Sequence, residues 1–322
     1  MRFSHVLPVV VLLTCVGGAS SATLPHRHPL VLTASSGELA PGREQVLCHR
    51  KRAPAHGMDV GRIRILMPGN GGHHGYLVAL YRPHAGTLQW PPRQCAFLPH
   101  SAPWDMIARS TRPTFDWQLP PGVAFHLRPH EPLLIKTYYL ASGAARRRHR
   151  EMTKTVLYPA ARGMVRAHAG TLFAEDRAVP LFLPRGETTV ANRCMVTGDG
   201  ATARDLNIIG LRGHYHFDGA AFSVYRVKAD GTLGEVVYHY QGFDQPDFQQ
   251  YTEPLVLHAG EGLEWRCTYV SFSDNHFQQF PQREQCVLFG AYYPTATPQE
   301  TITCVHDRDA SGRDINLRTV TP

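Results

Sequence analysis

Residues 221–240 read AFSVYRVKADGTLGEVVYHY. Two runs in this stretch, Ala221–Val227 and Gly234–Tyr240, are dense in Val, Tyr and Phe, and Lys228-Ala229-Asp230-Gly231 lies between them. Aromatic and β-branched runs bounded by Gly and Asp are the sequence form of strands joined by a turn, so the stretch predicts a β-hairpin. Runs of the same kind recur at Arg62–Met67, Tyr76–Tyr81, Leu133–Leu140, Leu263–Val270 and Val287–Tyr293. No segment sustains an apolar period of 3.6 residues over a useful length. The expected fold class is therefore all-β, with many short strands and turns. The 322 residues include 28 Gly and 25 Pro, and charged residues make up only 18%. That composition excludes a coiled coil, a long-helix bundle and a disordered acidic chain.

Working outward to the N-terminus, residues 1–22 read MRFSHVLPVVVLLTCVGGASSA. One Arg, an apolar run from Val6 to Val16 and a stretch of small residues are the three parts of a secretory signal peptide. No later run approaches the ~20 apolar residues of a membrane span. A secreted or periplasmic location is expected. Removal of Cys15 with the signal leaves six cysteines: Cys48, Cys95, Cys194, Cys267, Cys286 and Cys304. An even number in an exported chain predicts disulfides, and their spacing alone leaves all ~15 pairings open. None forms a CxxC pair, so a thiolate zinc site is not expected. The net charge of +7 is not gathered into one long basic stretch. The cluster Arg146-Arg147-Arg148-His149-Arg150 has no interleaved aromatic residues to stack bases, and a nucleic-acid partner is not expected. Together with the weak strand character of Pro159–Gly163, this cluster places a domain boundary near 160, giving halves of 23–160 and 161–322.

Two placements stand out among the 19 histidines. The first is Gly69-Asn70-Gly71-Gly72-His73-His74-Gly75, where a glycine-rich lead-in frees the backbone so that adjacent imidazoles can converge on one ion. The second is Arg212-Gly213-His214-Tyr215-His216. On a strand, the i, i+2 spacing puts both imidazoles on one face, a chelate suited to copper or zinc. Arg212 shares that face and can meet a substrate carboxylate there. Solvated loop or surface residues are the alternative at each place. The sequence has no P-loop, GxGxxG fingerprint, HExxH or nucleophile elbow, and no carboxylate pair suited to glycoside hydrolysis. Its chemistry, if any, rests on the histidines.

Several short motifs, taken in order, resemble the C-terminal domain of the copper type II, ascorbate-dependent monooxygenases, the relatives of peptidylglycine α-hydroxylating monooxygenase and dopamine β-monooxygenase. They are Leu183-Pro184-Arg185-Gly186-Glu187 leading to Cys194, and Arg212-Gly213-His214-Tyr215-His216 followed by Phe222–Val227. Gly260-Glu261-Gly262-Leu263-Glu264-Trp265-Arg266-Cys267 comes next, then Glu284-Gln285-Cys286 running into Tyr292-Tyr293, and last Cys304. Cys48, the strand before His73-His74, Leu119–Val123 and the strand into Thr137-Tyr138-Tyr139 resemble the N-terminal domain more faintly.

The resemblance implies two tandem antiparallel β-sandwiches, jelly-roll-like, and the pairings Cys48–Cys95, Cys194–Cys304 and Cys267–Cys286. It implies one or two copper ions, with ascorbate or another one-electron reductant. His73 and His74 would serve a first, electron-storing site. His214 and His216 would serve a second, where dioxygen binds and an aliphatic C–H of a small-molecule or peptide substrate is hydroxylated. Two positions depart from the family. Tyr138 stands where its third histidine is expected, with His126 or His130 as substitutes, and Gln285 stands where its methionine is expected. An amide oxygen is a harder ligand than a thioether and shifts preference from Cu(I) towards Cu(II). Arg212 matches the family's carboxylate-binding arginine, whereas Val287 and Phe289 replace the polar pair that assists it, which argues against a peptidyl-glycine substrate. Three functions follow: a copper monooxygenase of altered specificity, an exported copper-binding protein without hydroxylase activity, and a non-catalytic β-sandwich homologue.

Overall fold

The computed structural model describes residues 28–67, 75–83, 104–140, 150–161, 163–176, 185–196, 204–216, 218–243, 245–272, 285–308 and 314–320. The expected signal segment 1–22, His73, His74, Cys95 and residues 146–149 of the basic cluster lie outside them.

Every regular element described is a strand. The first half holds β1 (Leu30–Ser35), β2 (Glu44–Arg52), β3 (Met58–Leu66), β4 (Gly75–Pro83) and β5 (Trp104–Ser110). It continues with β6 (Thr114–Gln118), β7 (Val123–Leu127), β8 (Pro132–Leu140), β9 (Met152–Pro159) and β10 (Ala167–His168). The second half has β11 (Gly170–Asp176), β12 (Gly186–Cys194), β13 (Leu206–His214), β14 (Gly219–Val227) and β15 (Leu233–Gln241). It ends with β16 (Gln249–Leu257), β17 (Gly262–Ser271), β18 (Val287–Tyr293), β19 (Thr301–Arg308) and β20 (Asp314–Val320).

These strands form four sheets, two in each half. One pair is β1-β9-β3-β7-β10, with β6 also on β3, and β2-β8-β4-β5. The other is β16-β13-β18-β11-β19-β20 and β12-β17-β14-β15. Pairing is antiparallel except for β10 on β7 and β11 on β19. The protein is thus all-β, built as two tandem β-sandwiches. Because β10 still pairs within the first sandwich, the chain crosses to the second at Ala169, later than the break expected near 160.

The stretch 221–240 is the β14–β15 hairpin. Its loop closes through Gly231 N–H to the Lys228 carbonyl at 2.8 Å and Lys228 N–H to the Thr232 carbonyl at 2.9 Å. Gly231 sits at φ 80°, in the left-handed region that glycine enters without a Cβ clash. Between the first two sheets lie Ile63, Ile65, Trp117, Phe125, Val78, Leu80, Leu133 and Ile135, all buried. The second sandwich encloses Leu172, Leu211, Phe222, Val224, Trp265, Tyr269, Leu288 and Tyr292. Two disulfides cross its sheets: Cys194–Cys304 joins β12 to β19, and Cys267–Cys286 joins β17 to the residue before β18. Both pairings match those implied by the resemblance. Cys48 is also disulfide-bonded, and its expected partner Cys95 lies outside the described residues.

One irregularity decides where the histidines point. β13 carries a bulge between Ile208 and Gly210, and a bulge inserts a residue and so resets the in–out alternation. Ile208 and Leu211 both face the second core, whereas Ile209 is packed into the core of the first sandwich. Downstream of the bulge, Leu211, Gly213 and Tyr215 point inward, and Arg212, His214 and His216 point out of the second sandwich towards the first. Gly213 is required by this packing, because a Cβ there would lie 2.4–2.7 Å from the Phe222 ring. Gly213→Ala is expected to destabilise the fold by about 1–3 kcal/mol through overpacking, read as a lower denaturation midpoint.

Candidate functional site

The outward face of β13 and β18 forms one wall of the site. Cross-strand partners share a face, and Arg212 pairs with Phe289 while His214 pairs with Val287. Alternation then puts Gln285 on the same face, one step past Val287. Phe173 of β11 pairs with Phe289, and Phe173, Val287 and Phe289 form an apolar cluster against which Met106 of β5 packs. The opposite wall is the outer face of β2-β8-β4-β5, with Arg109 beside Ala79 and Ala79 beside Lys136. The His214–His216 pair therefore lies where the two sandwiches meet.

His214 is buried, with its ring centroid 5.0 Å from that of His216. β13 ends at His214, so the pair straddles the strand end, and the expected convergence of the two rings is found. Gln245 orients His214. Its amide Nε2 donates to the Tyr215 carbonyl at 2.7 Å, which fixes which end of the amide is oxygen, and its Oε1 faces His214 Nδ1 at 2.6 Å. Two acceptors do not meet at that distance, so Nδ1 donates to Oε1 and the neutral ring keeps its lone pair on Nε2, while Arg109 Nη2 stands farther off, 3.4 Å from Nδ1 and 3.3 Å from the same Oε1. Metal-bound imidazoles are oriented by this same device, a carbonyl-type acceptor on the other ring nitrogen. Gln285 Oε1 is buried and has no hydrogen-bond partner among the described residues, an arrangement that costs free energy unless something else meets the oxygen. Continued past His214↔Val287, the register puts Gln285 opposite His216, and two imidazoles and an amide oxygen are donor types that copper and zinc accept.

Arg212 is placed beside this set but is engaged elsewhere. It is 4% exposed, its Nη1 donates to the Arg109 carbonyl at 2.9 Å, and its Nη2 donates to Thr111 Oγ1 at 3.0 Å. It clasps the two sandwiches together and also lines the small cavity between them. Arg112 and Asp247 add an exposed ion pair across the same joint, at 2.8 Å. The cavity next to Arg212, lined by Met106, Arg109, Trp117, Phe248 and Phe289 among others, has a volume of ≈ 30 Å³, room for about one water molecule.

Two buried cations, Arg109 and Arg212, and the half-buried Lys136 gather at this joint. Burial, then the charge of Arg109, pushes Arg212 down to about 9. Burial pushes Arg109 down to about 10, against a small opposing effect of Tyr81. Burial and then Arg109 push the Lys136 amine down to about 8. A base whose folded value lies below its unfolded one costs stability while both states are protonated. As pH rises from about 8 towards 10, the native chain releases that proton before the unfolded chain does, and stability increases. Lys136→Met is expected to raise the thermal midpoint at about pH 7 and to flatten its rise towards about pH 9.5. Differential scanning calorimetry at both pH values checks this.

Tyr138, which stands where the family's third histidine is expected, is engaged by a carboxylate. The Tyr138 hydroxyl donates to Glu44 Oε2 at 2.8 Å, and its own ionisation is pushed up to about 12 by burial and by that carboxylate. His126 lies on β7 of the opposite sheet, paired with Asp59, and His130 sits at φ 55° in the turn before β8.

No family model matches the sequence, and no curated protein matches it. Two solved structures illustrate its resemblances in shape. The major capsid protein P2 of Bacteriophage PM2 is 10% identical, with a TM-score of 0.29, over 82% of this chain and 97% of that one. The N-terminal tandem CBM22-1–CBM22-2 domain of Xyn10C from Paenibacillus barcinonensis is 11% identical, with a TM-score of 0.19, over 85% of this chain and 100% of that one. Neither likeness bears on the site.

The sequence did not point to Gln245 or Arg109. Gln245 is 31 positions from His214 and Arg109 is 105 positions from it, and neither lies in a motif. Gln245 lies in the loop between β15 and β16, two strands after the His-x-His strand, and offers no local cue.

Proposed function

We propose that the chain is an exported copper-dependent monooxygenase-like protein, similar to the ascorbate-dependent copper type II family, acting on an aliphatic C–H of a small substrate. The observation that carries this reading is His214, its Nδ1 turned to the Gln245 amide oxygen and its ring centroid 5.0 Å from that of His216. His214 Nε2, His216 and Gln285 Oε1 would hold the ion. Copper, when bound with a one-electron reductant, supplies redox activation of dioxygen. The residues around it do the rest. Phe173, Val287 and Phe289 give the site an apolar wall that suits an aliphatic substrate and excludes water, and Gln245 keeps the Nδ1 proton in place. The cross-sheet disulfides suit an oxidising compartment. Among the described residues no helix is long and apolar enough to cross a membrane.

Ascorbate-driven oxygen uptake by the copper-loaded protein tests the reading. Uptake is expected to exceed that of His214→Ala at equal copper; equal rates would overturn it. A second reading, copper binding without hydroxylation, draws support from one observation. Nη1 and Nη2 of Arg212 are engaged by Arg109 and Thr111, so neither is turned to a substrate carboxylate. Tight copper binding without uptake is the outcome that favours that reading.

A further inference from the structure

A second constellation of ligand-type side chains lies on the outer face of the first sandwich, away from the site above. Asp59 of β3 and His126 of β7 are direct cross-strand partners. His168 of β10 pairs parallel with β7 at Ala124, two positions from His126, so its side chain falls on the same face. The ring nitrogens converge on one carboxylate oxygen: His126 Nδ1 lies 2.8 Å from Asp59 Oδ1, and His168 Nε2 lies 3.5 Å from the same atom. The three donor atoms lie within 4.8 Å of one another, and the two imidazole centroids are 5.2 Å apart. A tetrahedral ion with bonds of ~2.0–2.1 Å spaces its ligands ~3.3 Å apart, so modest side-chain rotation would admit one. Side-chain exposures of 38%, 32% and 30% leave solvent access for a water in the remaining position.

The backbone around the cluster is held at both ends. The Asp59 carbonyl accepts from Ala160 N at 2.7 Å, Ala169 N donates to the Ala124 carbonyl at 2.9 Å, and the His168 carbonyl accepts from Thr295 N of the second sandwich at 3.3 Å. Asp59 therefore abuts the end of β9 and His168 the crossover into β11. An ion on these three side chains would bind the crossover segment to the first sandwich.

We propose that Asp59, His126 and His168 form a divalent-cation site of the zinc class, which fixes the crossover between the two sandwiches. Two neutral imidazoles and one carboxylate are a borderline donor set suited to Zn²⁺. The site shares no residue with the His214–His216 pair and does not depend on the function proposed for that pair.

The test uses the full chain carrying His73→Ala, His74→Ala, His214→Ala and His216→Ala, so that both other candidate histidine pairs are silent. The chain is stripped with a chelator and titrated with Zn²⁺ against a chromophoric competitor. One equivalent of zinc is expected to bind and to raise the thermal midpoint. Asp59→Asn and His168→Gln in that background are each expected to weaken binding by more than the ~10–100-fold that loss of an outer-shell partner costs and to abolish the midpoint shift. Zinc affinity unchanged by both substitutions would overturn the proposal, as would the absence of bound zinc. Should the variants fail to fold, zinc protection of His126 and His168 from diethyl pyrocarbonate in the background chain decides. Protection supports the site, and equal modification with and without zinc overturns it.

Discussion

Exchange of Gln245 for leucine is expected to weaken copper binding at His214 and His216 by about 10- to 100-fold, the usual cost of losing an outer-shell partner, with little change in fold. Gln245 Oε1 accepts the Nδ1 proton of His214, and its Nε2 is anchored on the Tyr215 carbonyl. Leucine keeps the bulk and removes the acceptor, so Nε2 no longer holds the lone pair exclusively and the ring is no longer oriented. Gln245→Glu restores an acceptor but lacks the donor to Tyr215, and should fall between the two. Copper competition titrations on the three proteins check the order wild type, Gln245→Glu, Gln245→Leu. Equal affinities would show that the amide does not orient the ligand.

Replacement of Trp265 by alanine is expected to cost about 3–5 kcal/mol, the range for deleting a fully buried aromatic side chain. Trp265 is fully buried among Val224, Leu263, Leu288 and other core residues of the second sandwich. Its Nε1 donates to the Cys286 carbonyl at 3.1 Å, next to Gln285 and the Cys267–Cys286 disulfide. Two effects add: a large cavity opens in the core, and a buried carbonyl loses its donor. Trp265→Phe fills most of the volume but not the hydrogen bond and should lose less. Denaturant unfolding distinguishes them, and a loss below about 1 kcal/mol for Trp265→Ala would contradict this account of the core.

The fold was legible where its signals are local. The hairpin at 221–240 and the run Val287–Tyr293 were read from side-chain type and from the turn residues that bound them. The His-x-His spacing was legible because alternate residues of a strand share a face. The direction of that pair was not, since it depends on the bulge at Ile208–Gly210, and nothing in Ile208-Ile209-Gly210-Leu211 marks which residue is the extra one. The cysteine pairings were not legible from spacing, and two of the three implied by the resemblance are found. Arg212 was read as a substrate cation from its place on the strand, yet its hydrogen bonds are to Arg109 and Thr111 of the other sandwich. Such partners are set by how two domains dock, and no local pattern encodes that. The same holds for Asp59, His126 and His168, which come from three strands and meet only when β3, β7 and β10 are laid side by side.

Copper content per chain, measured by elemental analysis on the purified mature protein after loading and desalting, tests the central claim most directly. The His214→Ala/His216→Ala variant is expected to hold one copper fewer than the wild type, with both proteins folded by circular dichroism. Identical copper content in the two proteins would contradict the assignment of the His214–His216–Gln285 face as a copper centre.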